Sequence, residues 1–407
     1  MLFHELHALL KSRVSLEPDS VAIPEAGLRV ANFTFRSRAA DLLENSSPGE
    51  PSPAAGDGPE DAADRELHDG VALARDSEIA ENAAFRYSLM LPEGTERADG
   101  AVVLLHGLNE RNWAKYLPWA AELCLGTGRA VLLFPIAFHM NRSPEAWTDT
   151  RLMRRVSRFR LKSRPETLHS ALSNAAISAR LSADPSRFFW SGLQTYRDVR
   201  RLAGLIRDGA HPMIAGGAGP DLFTYSIGTF LGEILMCADE EGLFSGSRLA
   251  AFCGGPVFNR LSPASKFIVD SVADVELYSF MVGHLESRER MDPRLRSHLS
   301  GESGGAGPWF RAFLDYRTDL ERREARLRDL APRIRAAALS GDRVVPPYEV
   351  MNTLQGAARD IPIPVDVLDP PYPCRHEDPF PAGGGKHAGA VDAAFRETFA
   401  KFREFLL

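Results

Sequence analysis

Leu222-Phe223-Thr224-Tyr225-Ser226-Ile227-Gly228-Thr229-Phe230 decides how the rest of the chain is read. An apolar run climbs to Ser226, a glycine follows two residues later, and Thr229 to Met236 carries a helical pattern. A strand, a tight turn and a helix in that order lift a serine hydroxyl clear of its own backbone and leave the next amide, that of Ile227, free. Gly228 lies two residues after the serine, and Thr224, rather than a second glycine, lies two before it. A serine in such a loop can also be an ordinary helix cap, so the stretch has to be weighed with its surroundings.

Those surroundings alternate. Phe85, Tyr87, Leu89 and Leu91 follow the period of a half-buried strand. Ala101 to Leu105 is a short continuous apolar run, the pattern of a strand buried on both faces of a parallel sheet. Leu117 to Leu125 reads as a helix stopped by Gly126-Thr127-Gly128, and Ala130 to Phe138 as a second buried strand, which completes a βαβ unit. Two helices are predicted over Thr167 to Leu181 and Gln194 to Asp208, the latter with Val199, Leu202, Leu205 and Ile206 on one face. Leu222 to Tyr225 is then the third strand and Ser247 to Phe252 the fourth. Residues 257–335 lapse into helical patterns and are too many for an ordinary crossover, which predicts an inserted helical subdomain. Strand signals resume at Ile334 to Leu339 and Ile363 to Leu368. The chain ends on a helix whose stripe of Val391, Phe395, Phe399, Phe402 and Leu406 is suited to core packing. The expected class is α/β, with a mostly parallel, doubly wound sheet.

Composition narrows the function classes. A net charge of −6, with acidic residues interleaved among the arginines, gives no reason to expect nucleic acid. No apolar run approaches the ~18–20 residues of a membrane span, and the first residues lack the pattern of a secretory signal. Cys124, Cys237, Cys253 and Cys374 are widely spaced with no CxxC pair, so neither a disulfide framework nor a zinc site is expected, and the cytoplasm is the default compartment. No metal-ligand spacing or phosphate-binding glycine pattern calls for a cofactor. Residues 44–66 are rich in Pro, Gly, Ala, Ser and acid and read as a disordered loop.

A nucleophilic serine needs a base, an acid that orients the base, and two amides aimed at the developing oxyanion. Asp342, in the turn after the strand ending at Leu339, is the acid candidate; aspartate also favours turns for their own sake. The base candidate is His376. It stands in the loop 369–381, whose five prolines in thirteen residues stiffen it. His387, just before the terminal helix, is the alternative base. Leu104-Leu105-His106-Gly107-Leu108 turns tightly after a buried strand, so the amide of Leu108 is paired with that of Ile227 as the oxyanion hole. His106 itself reads as a structural histidine with its hydrogen bonds met. His139, Asn141 and Trp147 are weaker candidates for the pocket lining.

Taken together, Leu104-Leu105-His106-Gly107, Tyr225-Ser226-Ile227-Gly228, Ser340-Gly341-Asp342-Arg343-Val344-Val345-Pro346 and a histidine before a terminal amphipathic helix resemble the α/β-hydrolase superfamily. The chain order Ser, Asp, His is that of the family. The resemblance implies an α/β-hydrolase core at 85–256 and 336–407 and a helical cap at 257–335. It also implies an esterase- or lipase-like acyl hydrolase acting on a small-molecule acyl substrate without a cofactor. It leaves residues 1–84 as an N-terminal extension that adds strands to a sheet edge or mediates homo-oligomerisation. The rival expectation is a catalytically inactive α/β-hydrolase fold kept as a binding or interaction protein. Convergence or separation of Ser226, Asp342 and His376 distinguishes the two.

Overall fold

A computed structural model describes residues 1–39, 42–43, 59–301 and 305–407. Among the described residues nine strands form one sheet: β1 Ser20–Ile23, β2 Leu28–Arg36, β3 Ala84–Pro92, β4 Ala101–Leu105, β5 Ala130–Leu133, β6 Asp221–Tyr225, β7 Leu249–Phe252, β8 Ile334–Leu339 and β9 Val365–Leu368. Their order is β1-β2-β3-β5-β4-β6-β7-β8-β9. The first three strands and the β3–β5 seam are antiparallel, and every pairing from β5 to β9 is parallel.

The central strands are apolar on both faces because helices cover both. Every residue of β4, β5, β6 and β7 is buried. Alternation then splits them: Val103, Leu105 and Leu222 point into one core with Ile234 of the helix Ile227–Ala238. Val102, Leu104, Phe223 and Tyr225 point into the other, with Trp119 of the helix Leu117–Thr127 and Phe399 of the terminal helix Ala388–Leu406. The terminal stripe Val391, Phe395, Phe399, Phe402 and Leu406 is buried there. A parallel sheet with this order, helices on both faces and a large helical insertion is the α/β-hydrolase fold. Among the described residues no helix is long and apolar enough to cross a membrane.

The amino-terminal residues join this body. β1 and β2 extend the antiparallel edge through β3, and the helix Phe3–Arg13 docks on the second core. Its first turn is tied to the terminal helix by the Phe3 amide donating to Asp392 (2.8 Å) and by the Phe3–Phe395 ring contact (4.7 Å).

Several element expectations change. Of the loop expected at 44–66, residues 44–58 lie outside the described residues, whereas 59–66 begin the helix Pro59–Ala72. Its acidic composition is offset across the chain: Asp64 is buried and accepts from Arg155 (2.7 Å) and Arg158 (2.6 and 3.0 Å) of the helix Thr150–Ser163. The helix expected over Thr167 to Leu181 is Ala175–Ala183. The segment before it is held irregular by Asn174, whose amide donates to the carbonyls of His169 (2.9 Å) and Ser265 (2.8 Å). The helix expected at Gln194 starts earlier, as Arg187–Arg207. The strand expected to reach Phe138 stops at Leu133, because Pro135 cannot donate to a ladder and Phe138 adopts a positive φ of 62°.

Residues between β7 and β8 hold the helices Ser271–Tyr278, Leu285–Met291, Pro293–Leu299, Ala306–Ala312 and Leu320–Leu330. They do not stand alone. Ser271–Tyr278 packs on Ala175–Ala183, and Arg160 clamps Asp270 through two bonds of 2.7 and 2.8 Å. A helical roof is therefore drawn from three stretches of chain: 59–72, 150–183 and the segment after β7.

Candidate active site

β6 delivers Ser226 to the carboxyl edge of the sheet, between β4 and β7. Ser226 adopts φ 56°, ψ −124°, a region non-glycine residues avoid, and the helix Ile227–Ala238 begins directly after it. Such a conformation costs about 1–3 kcal/mol and persists only where its neighbours fix it. Here the Ser226 amide donates to Phe252 (3.1 Å) and its carbonyl accepts from Thr229 (2.9 Å). Gly228 is required by contact: a Cβ there would lie 2.5 Å from the Leu105 carbonyl oxygen. The threonine at 224 is accommodated from the opposite side. Its methyl faces Gly232, where a Cβ would sit 2.9 Å away, and its hydroxyl bonds that of Thr229 (3.0 Å).

Asp342 follows β8. One carboxylate oxygen accepts from the amides of Val344 and Val345, both at 2.9 Å, and the other faces Nδ1 of His376 at 2.7 Å. A carboxylate only accepts, so Nδ1 carries the proton and Nε2 is left as an acceptor. Nε2 stands 2.8 Å from the Ser226 hydroxyl. His376 and Asp342 are 4% and 5% exposed, so this hydrogen-bonded chain lies out of bulk water. Tyr225 stacks on the His376 ring (5.4 Å between centroids, 23° between planes) and donates its hydroxyl to the His376 carbonyl. The structure thus brings Ser226, Asp342 and His376 together. His387 is half-buried at the head of the terminal helix and does not line the cavity at Ser226.

The loop after β4 lies against the turn. A Cβ on Gly107 would come within 3.2 Å of the Tyr225 ring and 3.4 Å of the Ser226 Cβ. His106 is fully buried; Nδ1 donates to the Gly107 carbonyl (2.8 Å) and Nε2 accepts from the Ile136 amide (2.9 Å). Both nitrogens are used, and burial holds the ring well below its ordinary pKa, so it is neutral and structural. The Gly107 amide donates to Tyr116 (3.0 Å), whose hydroxyl donates to Glu110 (2.8 Å), a carboxylate also held by Lys115. This network pins Gly107 and leaves Leu108 next to the serine. Ile227 opens its helix, where the first amides have no intrahelical acceptor.

Leu108, Ser226 and His376 share a cavity of about 240 Å³. Asn109, at a positive φ of 61°, roofs it by donating to Ser173 (2.8 Å) and Phe267 (2.6 Å), which joins the two roof segments above the serine. A second, apolar cavity of about 70 Å³ touches Leu108 and Ile227 from the other side and is walled by Phe188, Phe230 and Phe310. Of the weaker candidates, His139 lines this second cavity. Asn141 donates to the Arg86 carbonyl (2.8 Å), and Trp147, buried beneath Arg180 (4.3 Å to its centroid), lines with His139 a further cavity that touches Leu108 and Asn109. Sequence reasoning missed the support given by Tyr116, Glu110, Lys115, Asn109 and the Tyr225 clamp. Asn109, a residue type that tolerates a positive φ, carried the only local signal. Among the described residues no group of three His, Cys, Asp or Glu could hold a metal.

Comparison with known proteins gives distant structural likenesses. A thermostable esterase from Pseudomonas putida ECU1011 is 11% identical, with 99% of this chain and 88% of that chain covered and a TM-score of 0.46. Carboxyl esterase 2 from the mycorrhizal fungus Tuber melanosporum is 11% identical, with 98% and 97% covered and a TM-score of 0.46. Esterase Est22 is 14% identical, with 99% and 87% covered and a TM-score of 0.44. No curated protein sequence matches. Residues 1–407 match the family described as "Family of unknown function (DUF6051)", and the chain belongs to that family.

Proposed function

We propose that the protein is a serine hydrolase that cleaves an ester or other acyl bond of a small to medium substrate through an acyl-enzyme. Ser226 attacks the acyl carbon as His376 Nε2 takes its proton, and Asp342 stabilises the imidazolium that forms. The amides of Ile227 and Leu108 meet the oxyanion; one such donor is worth about 2.7–4 kcal/mol in the transition state. The tetrahedral intermediate collapses as His376 returns the proton to the leaving oxygen, and water then repeats the sequence on the acyl-enzyme. In this reading residues 85–256 and 336–407 form the catalytic core and 257–335 the main cap. The free cysteines fit a reducing compartment such as the cytoplasm.

The observation that carries the reading is the unbroken relay from Ser226 through His376 (2.8 Å) to Asp342 (2.7 Å), buried at a strained strand-to-helix turn. Ester turnover by histidine variants tests it. His376→Ala is expected to lower kcat by about 10⁶-fold, the scale for removing a triad base, with His387→Ala within a few-fold of the parent. Loss of turnover in His387→Ala but not in His376→Ala would move the base to His387.

A further inference from the structure

Two cavities meet at Leu108 and differ in chemistry: Ser226 lines the larger one, and Ile227, the next residue, lines the smaller. The leaving oxygen must take its proton from His376 Nε2. His376 lines the larger cavity, together with Asn109, Arg111, Ser173 and Glu377, and is not among the residues of the smaller one. A leaving group therefore lies on the polar side. With the carbonyl oxygen on the Leu108 and Ile227 amides, the remaining substituent is left the side on which those two residues line a cavity with Phe188, Phe230 and Phe310.

Gly192 marks the same cavity. It lines the wall from within the helix Arg187–Arg207, its φ is not positive, and a Cβ there would meet no atom within 4 Å. Neither backbone conformation nor packing calls for glycine, and glycine weakens a helix interior relative to alanine. The space a side chain would fill belongs to the cavity.

We infer that this cavity is the acyl subsite, that it takes a short, apolar acyl chain, and that Gly192 sets the chain length. The inference rests on the serine hydrolase reading. At about 70 Å³ the space is roughly half that of a ~150 Å³ apolar cavity that takes up benzene, which leaves room for about three or four carbons beyond the carbonyl. His139 borders the cavity: its Nδ1 donates to the Ala137 carbonyl (2.9 Å), and among the described residues its Nε2 has no hydrogen-bond partner. Burial lowers the His139 pKa, so the ring presents no charge to an apolar chain.

The test compares para-nitrophenyl acetate with para-nitrophenyl valerate. The parent protein prefers valerate in kcat/KM. Gly192→Leu lowers the valerate-to-acetate ratio about tenfold or more, the scale on which single methylenes are discriminated in an apolar pocket. Gly192→Ala lowers it less and raises the midpoint of thermal unfolding. A folded Gly192→Leu protein with the parental chain-length profile overturns the inference; if that variant does not fold, an unchanged ratio in Gly192→Ala overturns it. Failure of the serine reading looks different, since the parent then turns over neither ester. In that event xenon NMR reads the cavity directly: xenon bound by the parent and excluded by Gly192→Leu supports an open apolar site at Gly192. Parent protein that takes up no xenon overturns it.

Discussion

The turn that carries Ser226 and the roof above it are held by different physics. Backbone fixes the turn: a positive φ at Ser226, amides aimed at Phe252 and Asp342, and close contacts of Gly228 and Gly232 with their neighbours. Distant charged pairs fix the roof: Asp64 with Arg155 and Arg158, Asp270 with Arg160, and Asp76 with Arg180 and Arg187. A change at the turn should therefore cost rate with little loss of stability, and a change in the roof should cost stability first.

The largest separation is expected from Asp342→Asn. Nδ1 of His376 then loses its anionic partner, and kcat should fall by about 10⁴-fold, as for the same exchange in a serine triad. Asp342 makes its other bonds through an oxygen that asparagine retains, so the unfolding midpoint should move little. A large loss of stability with modest loss of rate would place Asp342 with the structural pairs. Arg160→Ala is the mirror experiment. Asp270 is fully buried, and removing its partner should destabilise by about 3–5 kcal/mol in denaturant titration. An unchanged midpoint would mean that the roof does not depend on this pair.

Tyr225→Phe probes the border of the two behaviours. It keeps the ring stacked on His376 and removes one hydrogen bond to the His376 loop. The expected loss is about 0.5–1.5 kcal/mol, read as a several-fold drop in kcat at unchanged KM. A rise in KM alone would argue that Tyr225 shapes binding rather than the base.

Acid acts on buried rings of the scaffold rather than on the relay. Burial depresses His106 and His139 beside the turn and pushes His211 down to about 4. Their folded pKa values lie below the unfolded value near 6.5, so the unfolded chain binds protons that the fold refuses. Their contribution is fully present above pH 6.5 and is lost as pH falls below it. The unfolding midpoint should drop between pH 6.5 and 5, and His211→Gln should flatten that slope. A midpoint that rises in acid would contradict the neutral, buried state of these rings.

Legibility in the sequence followed the same divide. Strand, serine, Gly228 and helix lie within a dozen residues, and the loops bearing Asp342 and His376 follow strands that their apolar runs reveal. The roof was harder because its stabilising partners are far apart in the chain. Composition hid the helix Pro59–Ala72, whose Asp64 is neutralised from Arg155 and Arg158 about ninety residues later. The polar side chain of Asn174, which keeps the preceding loop irregular, reads equally well as a helix residue in sequence. Even at the turn, the reason Thr224 is tolerated sits at Gly232, in the following helix. The Gly107–Tyr116–Glu110 network shows only in three dimensions.

Whether Ser226 is a nucleophile is the point on which everything else depends, and a fluorophosphonate tests it most directly. Treatment of the folded protein, digestion and mass spectrometry should place a single covalent adduct on Ser226. The adduct should be absent from Ser226→Ala and strongly slowed in His376→Ala. A folded protein that takes up no probe at Ser226, or takes it up equally well without His376, would contradict the serine–histidine mechanism.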